Sequence, residues 1–387
     1  MDDPLIWVRA IHFAATLSMA GVVFFLAFVA GPALRAAAGR EPAVALVRRR
    51  LARIAWCSLA LAVVTGVAWL VLLAAQMSER PLAAMWSEDV VRTVLFDTDF
   101  GHVWLARSAL AALLAMALYP SYFTATRTAQ WRRGMALTCA AALVAALAFA
   151  GHAAAGTGGE GLIQQGADML HLLAAAAWVG ALVPLAVLLG AAAADRGESS
   201  LAMARTATLR FSTLGIVSVA TVLATVLLNG WELAGSPAAL FGTPYGRLLL
   251  AKVALFLLMV AVAAVNRLRL TPRLVHDLDA SVRRETLRQL RDNSLIEASV
   301  AAVILVIVGV LGTLPPGNEA TSRYRAVPYD RFGAGTGTPG IFTRTEPSAV
   351  RLVKYRVFQS SPPNAMLVVC RLPWTMRPSF LPCGSIT

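Results

Sequence analysis

Long blocks of apolar residues, separated by short polar loops, dominate the first 316 residues of the chain. A bilayer core about 30 Å thick needs about 20 helical residues, and eight blocks reach that length. The predicted spans are 6–30, 54–77, 102–125, 134–152, 167–191, 211–231, 246–265 and 294–314. Backbone amides find no partner in hydrocarbon, so each span is predicted to be a helix. The predicted fold class is all-α, a polytopic transmembrane bundle of about eight spanning helices.

Arginines fall mostly on one side of this predicted bundle. The loops 31–53, 126–133, 192–210 and 266–293 hold nineteen Arg, whereas the N-terminus and the loops on the other side hold three. Short cytoplasmic loops carry the excess of positive charge in membrane proteins. Both termini are therefore predicted to be periplasmic. The first apolar run is longer than a signal-peptide core and lacks a basic region before it, so we expect a retained first helix.

Composition agrees with a membrane protein and argues against several other classes. Of 387 residues, 58% are hydrophobic and 14% are charged, with a mean hydropathy of +0.67. This leaves too little polar surface for a soluble domain. The net charge of +13 comes almost wholly from arginines near the loops, so it indicates topology rather than nucleic-acid binding. GxSxG, HExxH and Walker A motifs are missing, and we predict no enzymatic activity.

The composition changes after Pro315 and Pro316. Residues 317–387 are rich in Pro, Gly, Ser, Thr and Arg, and contain no run long enough to span a membrane. We expect two parts: a transmembrane bundle over 1–316 and a poorly ordered C-terminal tail over 317–387.

Four of the five histidines are predicted to share the outer layer of the membrane. His12 lies about two turns into the first span, His102 opens the third, His152 closes the fourth, and His171 lies just over a turn into the fifth. Ionisable residues inside a membrane are costly and usually face the bundle interior. Imidazole binds Cu, Zn and Fe, so all four are candidate metal ligands. The alternative is that each histidine binds a backbone carbonyl at a helix end.

Two more candidate ligands precede His171. Asp168 is three residues before it, on roughly the same helical face, and Met169 is two residues before it. Thioethers select Cu(I), whereas imidazole with carboxylate accepts Cu(II). Methionine is also common packing material in membrane cores, which is the alternative for Met169. The predicted metal ligands are thus His12, His102, His152, His171, Met169 and Asp168, with no catalytic residue.

Six segments resemble the CopD copper-resistance family in their order and spacing. They are RAIHFAATLSMAG, FGHVWLARSAL, DMLHLLAAAAWVGAL, RFSTLGIVSVATVLATVLLNGWEL, TPYGRLLLAKVALFLLMVAVAAVNRLRLTP and IEASVAAVILVIVGVLGTLPP. The resemblance runs from about residue 5 to residue 316. It implies an eight-helix bacterial inner-membrane protein associated with copper entry from periplasm to cytoplasm. It also implies a periplasmic copper-binding partner of the CopC type. The tail departs from the family pattern.

Together, the residues and the resemblance predict a multi-pass copper transport protein of the bacterial cell inner membrane. Its predicted partners are the copper ion, the lipid bilayer and a CopC-type protein, with no nucleic acid. Outer-face His and Met side chains would capture copper, and spans one, three, four and five would pass it inward. An alternative is a b-type haem membrane protein, because paired histidines on antiparallel helices can be axial haem ligands. A structural or assembly protein with hydrogen-bonded histidines is a third possibility.

Overall fold

The computed structural model divides the chain into two compact units, Met1–Tyr324 and Arg325–Thr387. It describes residues 3–36, 42–78, 82, 88–119, 129–150, 158–195, 197–234, 237–276, 279–314, 341–342 and 355–356. In the second unit, strands β1 (Ile341–Phe342) and β2 (Tyr355–Arg356) pair antiparallel, with Ile341 opposite Arg356. The candidate chemistry lies in the first unit.

The described part of the first unit is helical. In chain order its α-helices are α1 Pro4–Phe24, α2 Gly31–Ala36, α3 Pro42–Ser78, α4 Glu88–Phe96, α5 Asp99–Ala117, α6 Ala129–Ala145, α7 Gly158–Ala194, α8 Glu198–Ala234, α9 Pro237–Gly242, α10 Pro244–Val265, α11 Thr271–His276 and α12 Ala280–Leu311. Short π-helical segments, Phe25–Ala30 and Asn266–Leu270, join α1 to α2 and α10 to α11. A 3-10 turn, Ala146–Ala150, extends α6.

Eight helical stretches in the described residues are long and apolar enough to cross a membrane, which confirms the predicted all-α class. They are Pro4–Leu34, Ala43–Gln76, Asp99–Ala117, Gln130–Phe149, Gly161–Ala194, Glu198–Leu228, Pro244–His276 and Ala280–Leu311. The orientation of the termini stays a prediction.

The spanning helices are longer than the apolar runs predicted. Much of the arginine-rich sequence expected in loops is helical, because α3 begins at Pro42, α8 at Glu198 and α12 at Ala280. Arginine, alanine and leucine are all good helix formers, so the helix continues where the apolar run stops. At about 1.5 Å per residue, the 37 residues of α3 or of α8 exceed the thickness of the bilayer core.

Helices α1 and α7 form the centre of the bundle. In their most apolar windows 72% and 61% of the residues are buried, against 6–39% in the other six spans. Helix α1 packs against α3, α6, α7 and α12, and α7 also packs against α8 and α12. Side chains at this centre, such as Met19, Phe25 and Leu188, are almost completely enclosed.

The two central helices meet at a pair of glycines. A Cβ atom on Gly21 would overlap the backbone of Gly180, and a Cβ atom on Gly180 would overlap the carbonyl oxygen of Leu17. Small residues let membrane helices approach closely, which strengthens their van der Waals packing. These helices are the first and fifth of alternating spans, so they cross the membrane in the same direction.

We predict that Gly180→Ala destabilises the bundle by about 1–3 kcal/mol, because the added methyl group overpacks the α1–α7 contact. The measurement is the thermal midpoint of the detergent-solubilised protein. Gly166→Ala is the matched control in the same helix, since a Cβ there meets nothing within 4 Å. Its midpoint should stay equal or rise, because alanine favours a helix over glycine. Equal midpoints for Gly180→Ala and the parent protein would contradict the proposed contact.

Candidate metal centre

His12 is buried in α1 and is hydrogen-bonded through both ring nitrogens. Its Nδ1 lies 3.0 Å from Thr65 Oγ1 on α3, and its Nε2 contacts the guanidinium of Arg107 on α5. The Thr65 hydroxyl donates to the carbonyl of Leu61 at 2.6 Å, so its oxygen accepts from the ring. Nδ1 therefore carries the proton, and the Nε2 lone pair accepts from Arg107. His12 is a neutral imidazole in this arrangement.

Aromatic side chains enclose His12. The indole of Trp69 packs edge-on against the imidazole, with ring centroids 5.5 Å apart. Gly66 leaves room for the imidazole, since a Cβ there would lie 3.3 Å from its Cε1 atom. The indole N–H of Trp104 donates to the carbonyl of Gly66 at 3.2 Å. His12 and Thr65 are buried in this setting, and Arg107 is partly buried.

His171 has a similar arrangement on the other central helix. Its Nδ1 lies 3.1 Å from Thr225 Oγ1 on α8. The Thr225 hydroxyl donates to the carbonyls of Thr221 and Val222 at 3.0 and 2.9 Å, so its oxygen accepts from the ring. The proton is again on Nδ1, which leaves Nε2 as the unprotonated nitrogen. Lys252 on α10 interacts electrostatically with His171 and with Asp168.

The other predicted ligands have different positions. His102 is exposed in the first turn of α5, and its Nε2 lies 2.9 Å from the carbonyl oxygen of Phe96. This contact is of the helix-end kind named as the alternative. Helical geometry places Asp168 on the His171 face of α7, and Met169 nearly opposite. His152 lies outside the described residues.

The structure thus places His12 and His171 in separate hydrogen-bond networks. Within the described ranges, no three His, Cys, Asp or Glu side chains come together in a group that could hold a metal ion. The predicted six-residue ligand set stays a prediction. The residues that hold the two histidines, Thr65 and Thr225, were not among the sequence candidates. Threonine is common in membrane helices, where its hydroxyl usually bonds a carbonyl of its own helix. Its presence in the sequence therefore did not indicate a contact with a histidine.

A second polar cluster was also missed. Glu297, 2% exposed in α12, accepts a hydrogen bond from Asn266 Nδ2 at 2.8 Å. The amide oxygen of Asn266 accepts from Asn293 Nδ2 at 2.6 Å. The sequence feature that could have indicated this cluster is a single acidic residue within an apolar span. Such a residue is energetically costly in a membrane unless it is hydrogen-bonded. These groups join the end of α10 to α12.

Comparison with known proteins identifies the family. Residues 1–162 match "Copper resistance protein D-like, N-terminal domain", and residues 204–311 match "Copper resistance protein D". The chain is 31% identical over 324 residues to copper resistance protein D of Pseudomonas syringae pv. tomato, across 83% of this chain and 99% of that protein. The chain belongs to the copper resistance protein D family.

Two other relatives agree with this membership. Over 310 residues the chain is 28% identical to inner membrane protein YebZ of Escherichia coli (strain K12), across 80% of this chain and 97% of that protein. Over 176 residues it is 32% identical to copper transport protein CutJ of Bacillus subtilis (strain 168), across 46% and 32% of the two chains. With its eight apolar helices, this member of the copper resistance protein D family is a multi-pass inner-membrane protein.

We predict that Thr225→Val allows His171 to adopt both neutral ring tautomers, because valine has no oxygen to accept a hydrogen bond from the Nδ1 proton. The measurement is ¹⁵N NMR of histidine-labelled protein, with the His171 signals assigned from a His171→Ala sample. The parent protein should show a protonated Nδ1, and the variant should show an Nε2-protonated population. Thr213→Val on the same helix is the control, since the Thr213 hydroxyl donates to its own helix at Leu209. A fixed Nδ1 proton in both variants would contradict the assigned hydrogen bond.

Proposed function

We propose that this protein carries copper from the periplasm toward the cytoplasm, and that His12 and His171 are copper ligands in the outer half of the bundle. Membership of the copper resistance protein D family supports copper as the substrate, as do relatives named for copper resistance and copper transport. The observation that carries the proposal is a neutral imidazole on each of the two central helices, held at Nδ1 by a threonine hydroxyl.

Such an imidazole suits a metal ion that must be bound and released. A hydrogen bond at one ring nitrogen fixes the tautomer and makes the other nitrogen a better ligand. Transport also requires that binding be weak enough for the ion to leave. A site with one imidazole and a few weaker ligands fits this requirement better than a closed cage of histidines. Asp168 lies on the His171 face and would add a carboxylate to the second site.

The remaining predicted ligands extend this path as proposals. His102, at the start of α5, would meet copper near the outer mouth, and His152 would lie in the same layer. Met169 faces the opposite side of α7 from His171, so it would serve a neighbouring position on the route. Arginine distribution supports an outer location for these groups. A periplasmic copper-binding protein of the CopC type would deliver the ion at this face.

In cells that lack their own importer, we expect expression of this chain to raise cellular copper, as measured by mass spectrometry of washed cells. His12→Ala and His171→Ala should each lower this copper, and the double variant should return it to the level of cells without the protein, because each change removes one of the two proposed imidazole ligands. His276→Ala is the matched control, since His276 is an exposed histidine at the end of α11. Variant amounts are equalised by fluorescence-detected chromatography. Unchanged or lowered copper on expression of the parent chain would overturn inward transport.

The haem alternative has its own readout in the same preparations. A b-type haem held by two histidines gives a Soret band. If these imidazoles bind copper and not haem, the purified parent protein should show no Soret band. A Soret band that disappears in both His12→Ala and His171→Ala would replace copper transport with haem binding. The same samples yield copper content, so the two functions are compared on one protein.

A further inference from the structure

The two histidine networks repeat each other in detail. His12 and Thr65 are 53 residues apart, and His171 and Thr225 are 54 residues apart. In each network a histidine on a central helix bonds, through Nδ1, a threonine on the next long helix. Each threonine hydroxyl contacts the carbonyls three and four residues before it in its own helix.

The helices that carry Arg107 and Lys252 also begin alike. Thr98 caps α5 and Thr243 caps α10, and each accepts, at 3.0 Å, the amide of the glycine three residues later. A Cβ on either glycine, Gly101 or Gly246, would overlap the backbone just before the cap. The sequences TDFGHVWLARSAL and TPYGRLLLAKVAL share this cap and then align Arg107 with Lys252.

The position after each glycine has the same structural role in both helices. His102 Nε2 lies 2.9 Å from the carbonyl oxygen of Phe96, and Arg247 Nε lies 3.2 Å from that of Phe241, each six residues back. Arginine does not bind copper, so the role that these two positions share is the capping contact. This correspondence gives His102 a capping role through Nε2, in addition to the contact with copper proposed at the outer mouth.

A third correspondence relates the two networks in space. Gly21 follows His12 by nine residues, and Gly180 follows His171 by nine. These two glycines contact each other where α1 and α7 cross. When corresponding residues of two parallel helices touch, an approximate two-fold axis runs between them, along the membrane normal, as in parallel transporter repeats. His12 and His171 then lie at one depth, about 14 Å outward from the contact at 1.5 Å per residue.

We propose that the bundle is a tandem duplication of a four-helix unit and holds two equivalent copper sites, one in each half. The first unit contains α1, α3, α5 and α6, and the second contains α7, α8, α10 and α12. This inference rests on the proposed function for the identity of the metal. It differs from a single site shared by the outer histidines, because each histidine is bonded to helices of its own half.

Each site also contains a cationic side chain that competes with the metal. The Arg107 guanidinium donates to His12 Nε2, the only lone pair that the imidazole can offer copper. Lys252, which aligns with Arg107 in the sequence of the second unit, interacts electrostatically with His171. Copper can bind Nε2 of His12 only after Arg107 has moved away, because both need the same lone pair. The cation therefore weakens copper binding and reoccupies the site when copper leaves.

The two sites differ in the charge beside them. Lys252 interacts with Asp168, which lies three residues before His171. The corresponding residue three before His12 is Arg9, whose guanidinium donates to the carbonyl of Gly312 at 2.9 Å. A carboxylate stabilises both a bound copper ion and a displaced lysine, whereas a second arginine opposes a cation. The site at His171 is therefore expected to bind copper more tightly than the site at His12.

Copper stoichiometry tests the duplication. The purified full chain is equilibrated with Cu(I), and separately with Cu(II), in a competing chelator, and copper per chain is measured. We expect two ions in the parent protein, one in His12→Ala, one in His171→Ala and none in the double variant. One ion in the parent, lost in either single variant, would establish a shared site and overturn the duplication while leaving copper transport intact. An absence of copper from the parent, with no cellular accumulation, would overturn the proposed function and this inference with it.

The competing cation is tested one site at a time. In the His171→Ala background, Arg107→Leu should tighten Cu(I) binding about tenfold, the equivalent of about 1.4 kcal/mol of lost competition. Arg107→Lys should stay near the parent affinity, because it keeps the charge. Arg92→Gln on α4 is a control for loss of an exposed charge. Lys252→Leu in the His12→Ala background repeats the test if the Arg107 variant does not fold. Unchanged or weaker binding after either leucine substitution would overturn the competing role.

Discussion

The backbone contact between Gly21 and Gly180 is the constraint on which the rest of the bundle depends. It brings α1 and α7 closer than any side chain between them would allow, and it fixes their relative height. With their inner faces in contact, the two helices turn His12 toward α3 and α5, and His171 toward α8. One contact therefore sets the depth and the direction of both histidine networks.

The number of spans could be predicted from the sequence because the bilayer imposes a local rule. Each helix must bury about 20 residues in hydrocarbon whatever its neighbours do. Helix ends were less predictable, since nothing in the aqueous layer requires a helix to stop there. The arginine-rich segment from Pro42 to Arg53, for example, belongs to α3. The positive-inside rule predicts the side of the membrane on which such a segment lies, but not whether it is helical.

The buried histidines could be singled out from the sequence, but the neighbours that each one bonds could not. A histidine in an apolar span is costly, so His12 and His171 stood out, and both are held in polar networks. A shared layer does not make a shared site, however. Which neighbour a histidine bonds depends on how the helices pack, and the threonines that decide it, Thr65 and Thr225, carry no signal of their own. His102 is predicted to lie in the same layer, yet its ring contacts the carbonyl of Phe96.

The proposed pairing of a copper ligand with a competing cation follows from the apolar medium. An imidazole lone pair without a partner in an apolar layer is unfavourable, and a permanently bound metal ion would block transport. In the proposed mechanism, an arginine on the lone pair satisfies it between transport events and can be displaced. The displaced charge still needs an anion, because an isolated cation inside a membrane is expensive. Asp168 supplies one beside Lys252, and Arg9 in the corresponding place does not, so the two proposed sites are expected to differ in copper affinity.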